Sequence, residues 1–262
     1  MHKVTVKKIF KSKGKKPIVC LTAYSKPLAE ILDKYCDIIL VGDSLGMTLY
    51  GMNTTKEVKI DTMILHAKAV KKFVNRSLVV FDMPYKTYLN KFTAYKNAKK
   101  ILKLTSCDAV KLEGGKKEVD TIKYLIAKGI PVMGHIGLLP QTSKNFKLQG
   151  QNSIQKKKIL NDAIAISKTG VFAIVIECVV ESLAKEITET ITTPTIGIGA
   201  SKHCDGQILV IDDMIGLNNT SPRFVKRYSN IRKDIEKAVK SYCKDVKKRK
   251  FPFLQNVLLL LQ

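Results

Sequence analysis

Eight short apolar runs recur along the chain: Pro17–Leu21, Asp37–Val41, Ser77–Phe81, Ala109–Leu112, Ile130–Met133, Val171–Ile176, Pro194–Ile198 and Gln207–Val210. A continuous apolar run of this length reads as a parallel strand buried on both faces. Stretches of helical period lie between the runs. Met63, Ile64, Ala67, Val70 and Val74 form one apolar stripe, with Asp61 placed to cap it. Thr93–Leu104, Glu118–Ala127, Ile154–Lys168 and Glu181–Thr190 read the same way, and Gly129 followed by Pro131 stops the second of these. A last stripe comprises Ile231, Ile235, Ala238, Val239, Tyr242 and Val246. Alternating strands and helices predict a parallel sheet with right-handed crossovers. Eight such units predict an α/β fold of the (β/α)8 TIM-barrel type. An open doubly wound sheet is the alternative, although it more often uses fewer strands.

In a closed barrel the C-terminal strand ends converge on one mouth, where the active site sits. Thr22, Asp43, Asp82, Glu113, His135 and Glu177 stand at or just past six of those ends. A turn or a helix cap would account for one acid alone. Asp43, Asp82 and Glu113 at equivalent positions point instead to a shared pocket. Buried acids in one mouth repel one another unless a cation neutralises them, and hard oxygen donors suit Mg²⁺ or another hard divalent ion. Lys111 stands two residues before Glu113, so both side chains point to the same side of a strand. It can pair with a substrate carboxylate or simply with the acids. His135 follows an apolar strand and has Gly134 and Gly137 close by, which allow close backbone approach to a bound molecule. Glu177 ends so apolar a strand that it should lose part of its hydration, which is one way to prepare a general base for work near neutral pH.

Composition narrows the reading. The 262 residues match the roughly 250 of one barrel. A single catalytic domain over 1–262 is expected, with a short N-terminal and a helical C-terminal extension. No apolar run approaches the ~20 residues of a membrane helix, and the longest, Val257–Leu261, reads as a docked tail. No apolar signal-peptide segment follows the Lys-rich start, so a cytoplasmic protein is expected. Six cysteines at irregular spacings argue for buried, inert thiols rather than disulfides or zinc ligands. The net charge of +24 is almost all lysine, with only five arginines, and it is spread along every segment. That reads as a solvated surface and not as a nucleic-acid interface. Its field would also draw in an anionic substrate or cofactor. No G-x-G-x-x-G or P-loop signature opens a helix.

Eight motifs in order give the chain a resemblance to the ketopantoate hydroxymethyltransferase family. They are Leu21-Thr-Ala-Tyr24, Val41-Gly-Asp-Ser-Leu-Gly-Met47, Asp82-Met-Pro84, Val110-Lys-Leu-Glu-Gly-Gly115, Gly134-His-Ile-Gly-Leu138 with Pro140-Gln141, Glu177-Cys-Val179, Pro194-Thr-Ile-Gly-Ile-Gly199 and Cys204-Asp-Gly-Gln-Ile-Leu-Val210. The resemblance implies a (β/α)8 barrel that transfers a hydroxymethyl group from 5,10-methylenetetrahydrofolate to 3-methyl-2-oxobutanoate. It implies Mg²⁺ on Asp43 and Asp82, with Glu113 bound directly or through water. It also implies carboxylate binding by Ser44 and Lys111, substrate contact by His135, proton removal by Glu177, and a homodecamer of two pentameric rings. The chain departs from the family's pattern at Ser25, at Ser201 and in the shortened loop 141–150, which places folate affinity or loop closure in question. Mg²⁺-dependent lyases and mutases of the phosphoenolpyruvate mutase and isocitrate lyase kind are the enzymatic alternative. They would need a lid cysteine, for which Cys204 is the candidate.

Overall fold

A computed structural model describes residues 2–143, 145–253 and 256. The expected tail at Val257–Leu261 lies outside the described residues. The chain divides into two compact units, Met1–Ile211 and Asp212–Gln262.

In the first unit the elements run in chain order α1 (Val6–Phe10), β1 (Ile18–Thr22), α2 (Lys26–Leu32), β2 (Ile38–Val41), α3 (Leu45–Tyr50), α4 (Ile60–Lys71) and β3 (Leu78–Asp82). They continue with α5 (Lys91–Thr105), β4 (Ala109–Lys111), α6 (Val119–Ala127), β5 (Val132–Gly137), α7 (Ser153–Ser167) and β6 (Ala173–Glu177). α8 (Glu181–Thr190), β7 (Thr195–Ile198) and β8 (Gly206–Leu209) complete the set. All eight strands pair in parallel, and β8 returns to β1, so the sheet is a closed barrel. Closure excludes the open doubly wound sheet. Each expected apolar run contains or overlaps one strand.

β2 and β3 are buried at every position, because helices cover them outside and side chains fill the barrel inside. Ile18, Cys20, Ile38, Leu40, Leu78, Val80, Ala109, Met133, Ala173, Val175, Ile196 and Ile208 form the interior, joined by Val4, Ile9 and Phe172. Val4 bonds through its N–H to the carbonyl of Arg76, just ahead of β3. The N-terminal segment with α1 therefore seals the end of the barrel opposite the mouth.

Helix boundaries differ from expectation in one instructive case. Asp61 does not cap α4. The cap position falls on Lys59, and Asp61 sits in the first turn, where its charge still suits the positive end of the helix dipole. Asn90 and Asn152 cap α5 and α7 through their side-chain oxygens.

The second unit contains the one-turn helix α9, whose first residue Ile211 ends the barrel unit (Ile211–Met214), and α10 (Ile231–Lys247), capped by Asn230. The stripe Ile235, Val239, Tyr242 and Val246 lies along α10 and is exposed. Among the described residues, no helix is long and apolar enough to cross a membrane.

Candidate active site

The mouth is built from strand ends in register. Asp82 and Lys111 are direct partners across β3 and β4, and the Lys111 ammonium donates to both carboxylate oxygens of Asp82 at 2.9 Å. The pairing of Lys111 with the acids, one of its two sequence readings, is present. Glu113 follows on the same face, with its Oε1 3.8 Å from Lys111 Nζ.

His135 stands in β5 with its imidazole between two acids. Nδ1 lies 3.4 Å from Glu113 Oε1, and Nε2 lies 3.3 Å from Glu177 Oε2. These distances are long for charge-assisted hydrogen bonds. Both ring nitrogens are buried without a hydrogen-bond partner, and the residue is 1 % exposed. Such a group is costly to keep unless something else binds it. Glu177 ends β6 opposite Gly137, and its side chain is 17 % exposed while that of Glu113 is 2 % exposed. It therefore sits at the rim, above a buried floor.

Gly137 permits this arrangement. Its φ is +92°, and a Cβ there would lie 2.4 Å from the Glu177 carbonyl oxygen. Cys178, next after Glu177, holds φ +48°, a left-handed conformation unusual for a side chain with a Cβ. The Gln149 N–H donates to the Cys178 carbonyl at 2.7 Å, and the Val180 N–H to the Gln149 carbonyl at 3.0 Å. The loop after β5 is thereby tied to the residues that follow Glu177.

Asp43 and Ser44 come from the turn after β2. Ser44 exchanges a 2.8 Å hydrogen bond with the Tyr24 hydroxyl. Asp43 meets the other acids through Gln141, whose amide donates to Asp43 Oδ2 at 2.8 Å, while its backbone N–H donates to Glu113 Oε2 at 3.1 Å. The sequence gives Gln141 only as part of a motif. A neutral amide four residues past a strand carries no chemistry of its own, and only its partners reveal it.

Charge is crowded here. Burial, then the charges of Asp82 and Glu113, pushes Asp43 well above the usual carboxylate range. Burial also raises Asp82, against the pull of Lys111. For Glu113 burial works upward, but His135, Lys111 and the Gln141 N–H outweigh it and hold the carboxyl low. For Lys111 burial disfavours the ammonium, and the three acids outweigh that and raise it. For His135 burial and Lys111 oppose protonation, yet Glu113 and Glu177 prevail and push the imidazole up to about 9.

Among the described residues, no group of three or more His, Cys, Asp or Glu side chains is arranged to hold a metal ion. Asp43, Asp82 and Glu113, the acids expected to hold a cation, are each engaged by a neighbouring group. Lys111 engages both oxygens of Asp82, and Gln141 and His135 engage Glu113. The donor chemistry nevertheless fits a hard divalent ion, which takes one or two carboxylates and completes its shell with water and substrate. Asp43 and Asp82, buried at adjacent strand ends, are carboxylates that could supply them. Cys204 is buried, with its Sγ 3.8 Å from the Thr188 hydroxyl, and burial raises its thiol. It is not poised as a reactive lid thiol. Ser201 is buried as well and donates to Glu181 at 2.9 Å.

A closed parallel barrel with acids, a lysine and a histidine converging on its mouth defines an enzyme of the TIM-barrel class that works on a small polar molecule. The sequence matches the ketopantoate hydroxymethyltransferase family over residues 3–253, and the chain belongs to that family. It is a transferase. A 3-methyl-2-oxobutanoate hydroxymethyltransferase of Pelagibacter ubique is 57 % identical over 242 residues, 92 % of this chain and 94 % of its own. That of Rhizobium etli is 53 % identical over 255 residues, 95 % and 93 % of the two chains. Among solved structures, a phosphonopyruvate hydrolase complexed with oxalate and Mg²⁺ superposes with TM-score 0.63 at 10 % identity, covering 98 % of this chain and 95 % of its own. A phosphoenolpyruvate phosphomutase from Streptomyces platensis gives 0.62 at 11 %, covering 93 % and 86 %. At such identity the likeness is one of fold.

Proposed function

We propose that this chain transfers a hydroxymethyl group from 5,10-methylenetetrahydrofolate to 3-methyl-2-oxobutanoate, giving 2-dehydropantoate and tetrahydrofolate, a step towards pantothenate. The observation that carries the reading is His135, buried with its two ring nitrogens 3.4 Å and 3.3 Å from a floor acid, Glu113, and a rim acid, Glu177, neither contact being a well-formed hydrogen bond. A floor that holds substrate beneath a rim base is the arrangement that proton removal next to a carbonyl requires.

Four carboxylates, Asp43, Asp82, Glu113 and Glu177, face one lysine and one histidine in this mouth. With all of them ionised the site is two positive charges short, before an anionic substrate enters. A divalent cation, Mg²⁺ in this proposal, balances it, held by Asp43 and Asp82 with Glu113 direct or through water. When bound, it polarises the keto oxygen of the 2-oxo acid. The ammonium of Lys111 has three N–H donors, and the one not given to Asp82 is available to the substrate carboxylate together with the Ser44 hydroxyl. His135 orients the substrate. Glu177 takes the proton from C3, and the resulting carbanion centre bonds to the one-carbon unit of the folate. That carbon gives up its bonds to the two folate nitrogens, which leave protonated as tetrahydrofolate, and water supplies the hydroxyl oxygen of the product. The enzyme is proposed to work in the cytoplasm as a homodecamer, and the exposed apolar stripe of α10 supports assembly by offering a packing surface. The lyase and mutase reading is not favoured, because Cys204 is buried.

The test is deuterium exchange at C3 of 3-methyl-2-oxobutanoate, followed by NMR without folate. Exchange that depends on the divalent cation and is lost in Glu177→Gln is the expected result. Wild-type protein that exchanges nothing, even with folate present, would remove the chemical basis of the proposal.

A further inference from the structure

Gln141 occupies the centre of the mouth and is 0 % exposed. Its side-chain nitrogen donates to Asp43 Oδ2 at 2.8 Å and to the Met83 carbonyl at 3.0 Å. Its backbone N–H donates to Glu113 Oε2 at 3.1 Å. Its side-chain oxygen accepts from the Tyr88 hydroxyl, itself buried. One residue past β5 therefore reaches groups that stand at or after the ends of β2, β3 and β4.

Chemistry fixes the orientation of this amide. The Met83 carbonyl is only an acceptor, so the group facing it must be the NH₂. The amide oxygen is then turned to Tyr88, which must donate. Burial, reinforced by the charges of Glu113 and Asp82, raises the Tyr88 phenol and keeps its proton in place. The tyrosine thus locks the amide with its donor face toward Asp43.

We propose that Gln141, locked by Tyr88, is a positioning residue: it sets the orientation of the Asp43 and Glu113 carboxylates that hold the divalent cation and its substrate. The inference deepens the proposed function and rests on its cation site. A neutral amide suits the task. It donates to two acids without adding a charge, whereas a second lysine would neutralise Asp43 and take the place of the cation. Groups that hydrogen-bond the ligands of a metal typically contribute roughly 10- to 100-fold to its affinity.

The test is direct binding of Mn²⁺, followed by its electron paramagnetic resonance signal, in wild type, Tyr88→Phe and Gln141→Met. Tyr88→Phe removes one hydroxyl. Gln141→Met keeps the bulk and the backbone N–H to Glu113 but loses the donor to Asp43. Mn²⁺ affinity should fall roughly 10- to 100-fold in Gln141→Met and by a smaller factor in Tyr88→Phe. In Tyr88→Phe the Gln141 amide oxygen loses its buried donor, so the melting temperature of the metal-free protein should fall by a few degrees while the protein stays folded. The turnover number should fall with the affinity, while the KM for the 2-oxo acid at saturating cation changes less. Wild-type protein that binds no Mn²⁺ would overturn the cation site and this assignment with it. Variants that bind Mn²⁺ as tightly as a binding-competent wild type would overturn the positioning role alone. If Gln141→Met fails to fold, Tyr88→Phe decides by the same two criteria.

Discussion

At the scale of single residues, two glycines separate backbone strain from site geometry. Gly137 and Gly51 both hold left-handed φ, +92° and +64°, but a Cβ on Gly51 meets nothing within 4 Å, while one on Gly137 meets the Glu177 carbonyl oxygen. Gly51→Ala should cost only the backbone term, about 1–2 kcal/mol, and leave C3 exchange as it was. Gly137→Ala should cost more, because a backbone atom cannot move aside cheaply. It should also slow exchange by displacing Glu177. Thermal melts together with the exchange assay check the pair, and equal exchange in both variants would reject the coupling. The same scale shows where sequence reading stops. Asp43, Asp82, Glu113, His135 and Glu177 are legible because each is a reactive type at or just past the end of an apolar run, and Lys111 because it stands two residues before Glu113. Gln141 and Tyr88 are not, since their part in the site exists only in contacts made across 28 to 98 positions of the chain.

At the scale of elements, periodicity recovers what is long and apolar. The eight strands and the helices α4 to α8 follow from it, because burial dictates their side chains, and α10 follows from the period of its apolar stripe although that stripe is exposed. The short helices α1, α2 and α3 do not, since five to seven residues carry too few turns for a period to show. The cap of α4 goes astray because Lys59 brings no side-chain oxygen and leaves no cap signature. What joins elements is often a buried or half-buried acid that no pattern flags. Asp33, at the end of α2, accepts the N–H groups of Asn75, Arg76 and Ser77 at 2.7–2.9 Å and so fixes the turn into β3. Burial works against its charge, but these bonds prevail and hold the carboxyl below its ordinary value of 3.8. Asp108 is held low in the same way, with burial outweighed by Lys71, the Val79 N–H and Lys3. A folded value below the unfolded one means that the stabilisation is present above about pH 4 and is lost as pH falls through the folded value. Asp33→Asn should therefore destabilise the protein at pH 7, by about 1.5–3 kcal/mol at most given its partial exposure. That difference should shrink on acidification, when wild type is protonated too. Urea unfolding of both proteins at pH 7 and pH 3 measures it, and a gap of constant size would contradict the linkage.

At the scale of the molecule, the dominant quantity is a net charge of +24 on a chain whose proposed site is a cluster of acids. The two oppose each other in sign and act over different distances. The lysines are spread around the surface, and their combined field reaches an approaching anion well before it touches the mouth. The buried acids are felt only at contact, where Lys111, His135 and a bound cation offset them. Capture of a 2-oxo acid should then depend on salt, while the chemistry after binding should not. Raising ionic strength from about 10 mM to about 100 mM shortens the screening length from about 30 Å to about 10 Å. Over that range kcat/KM for the anionic substrate should fall several-fold at fixed cation concentration, with kcat nearly constant. Any retention on DNA should vanish over the same range, as for a diffuse positive surface without a dedicated groove. Steady-state kinetics across a salt series decides between the two contributions. A kcat/KM that does not move with salt would mean that the surface charge plays no part in capture. A kcat that falls in parallel would place the salt-sensitive pairs inside the mouth, among Asp82, Lys111 and Glu113, where burial should shield them from screening.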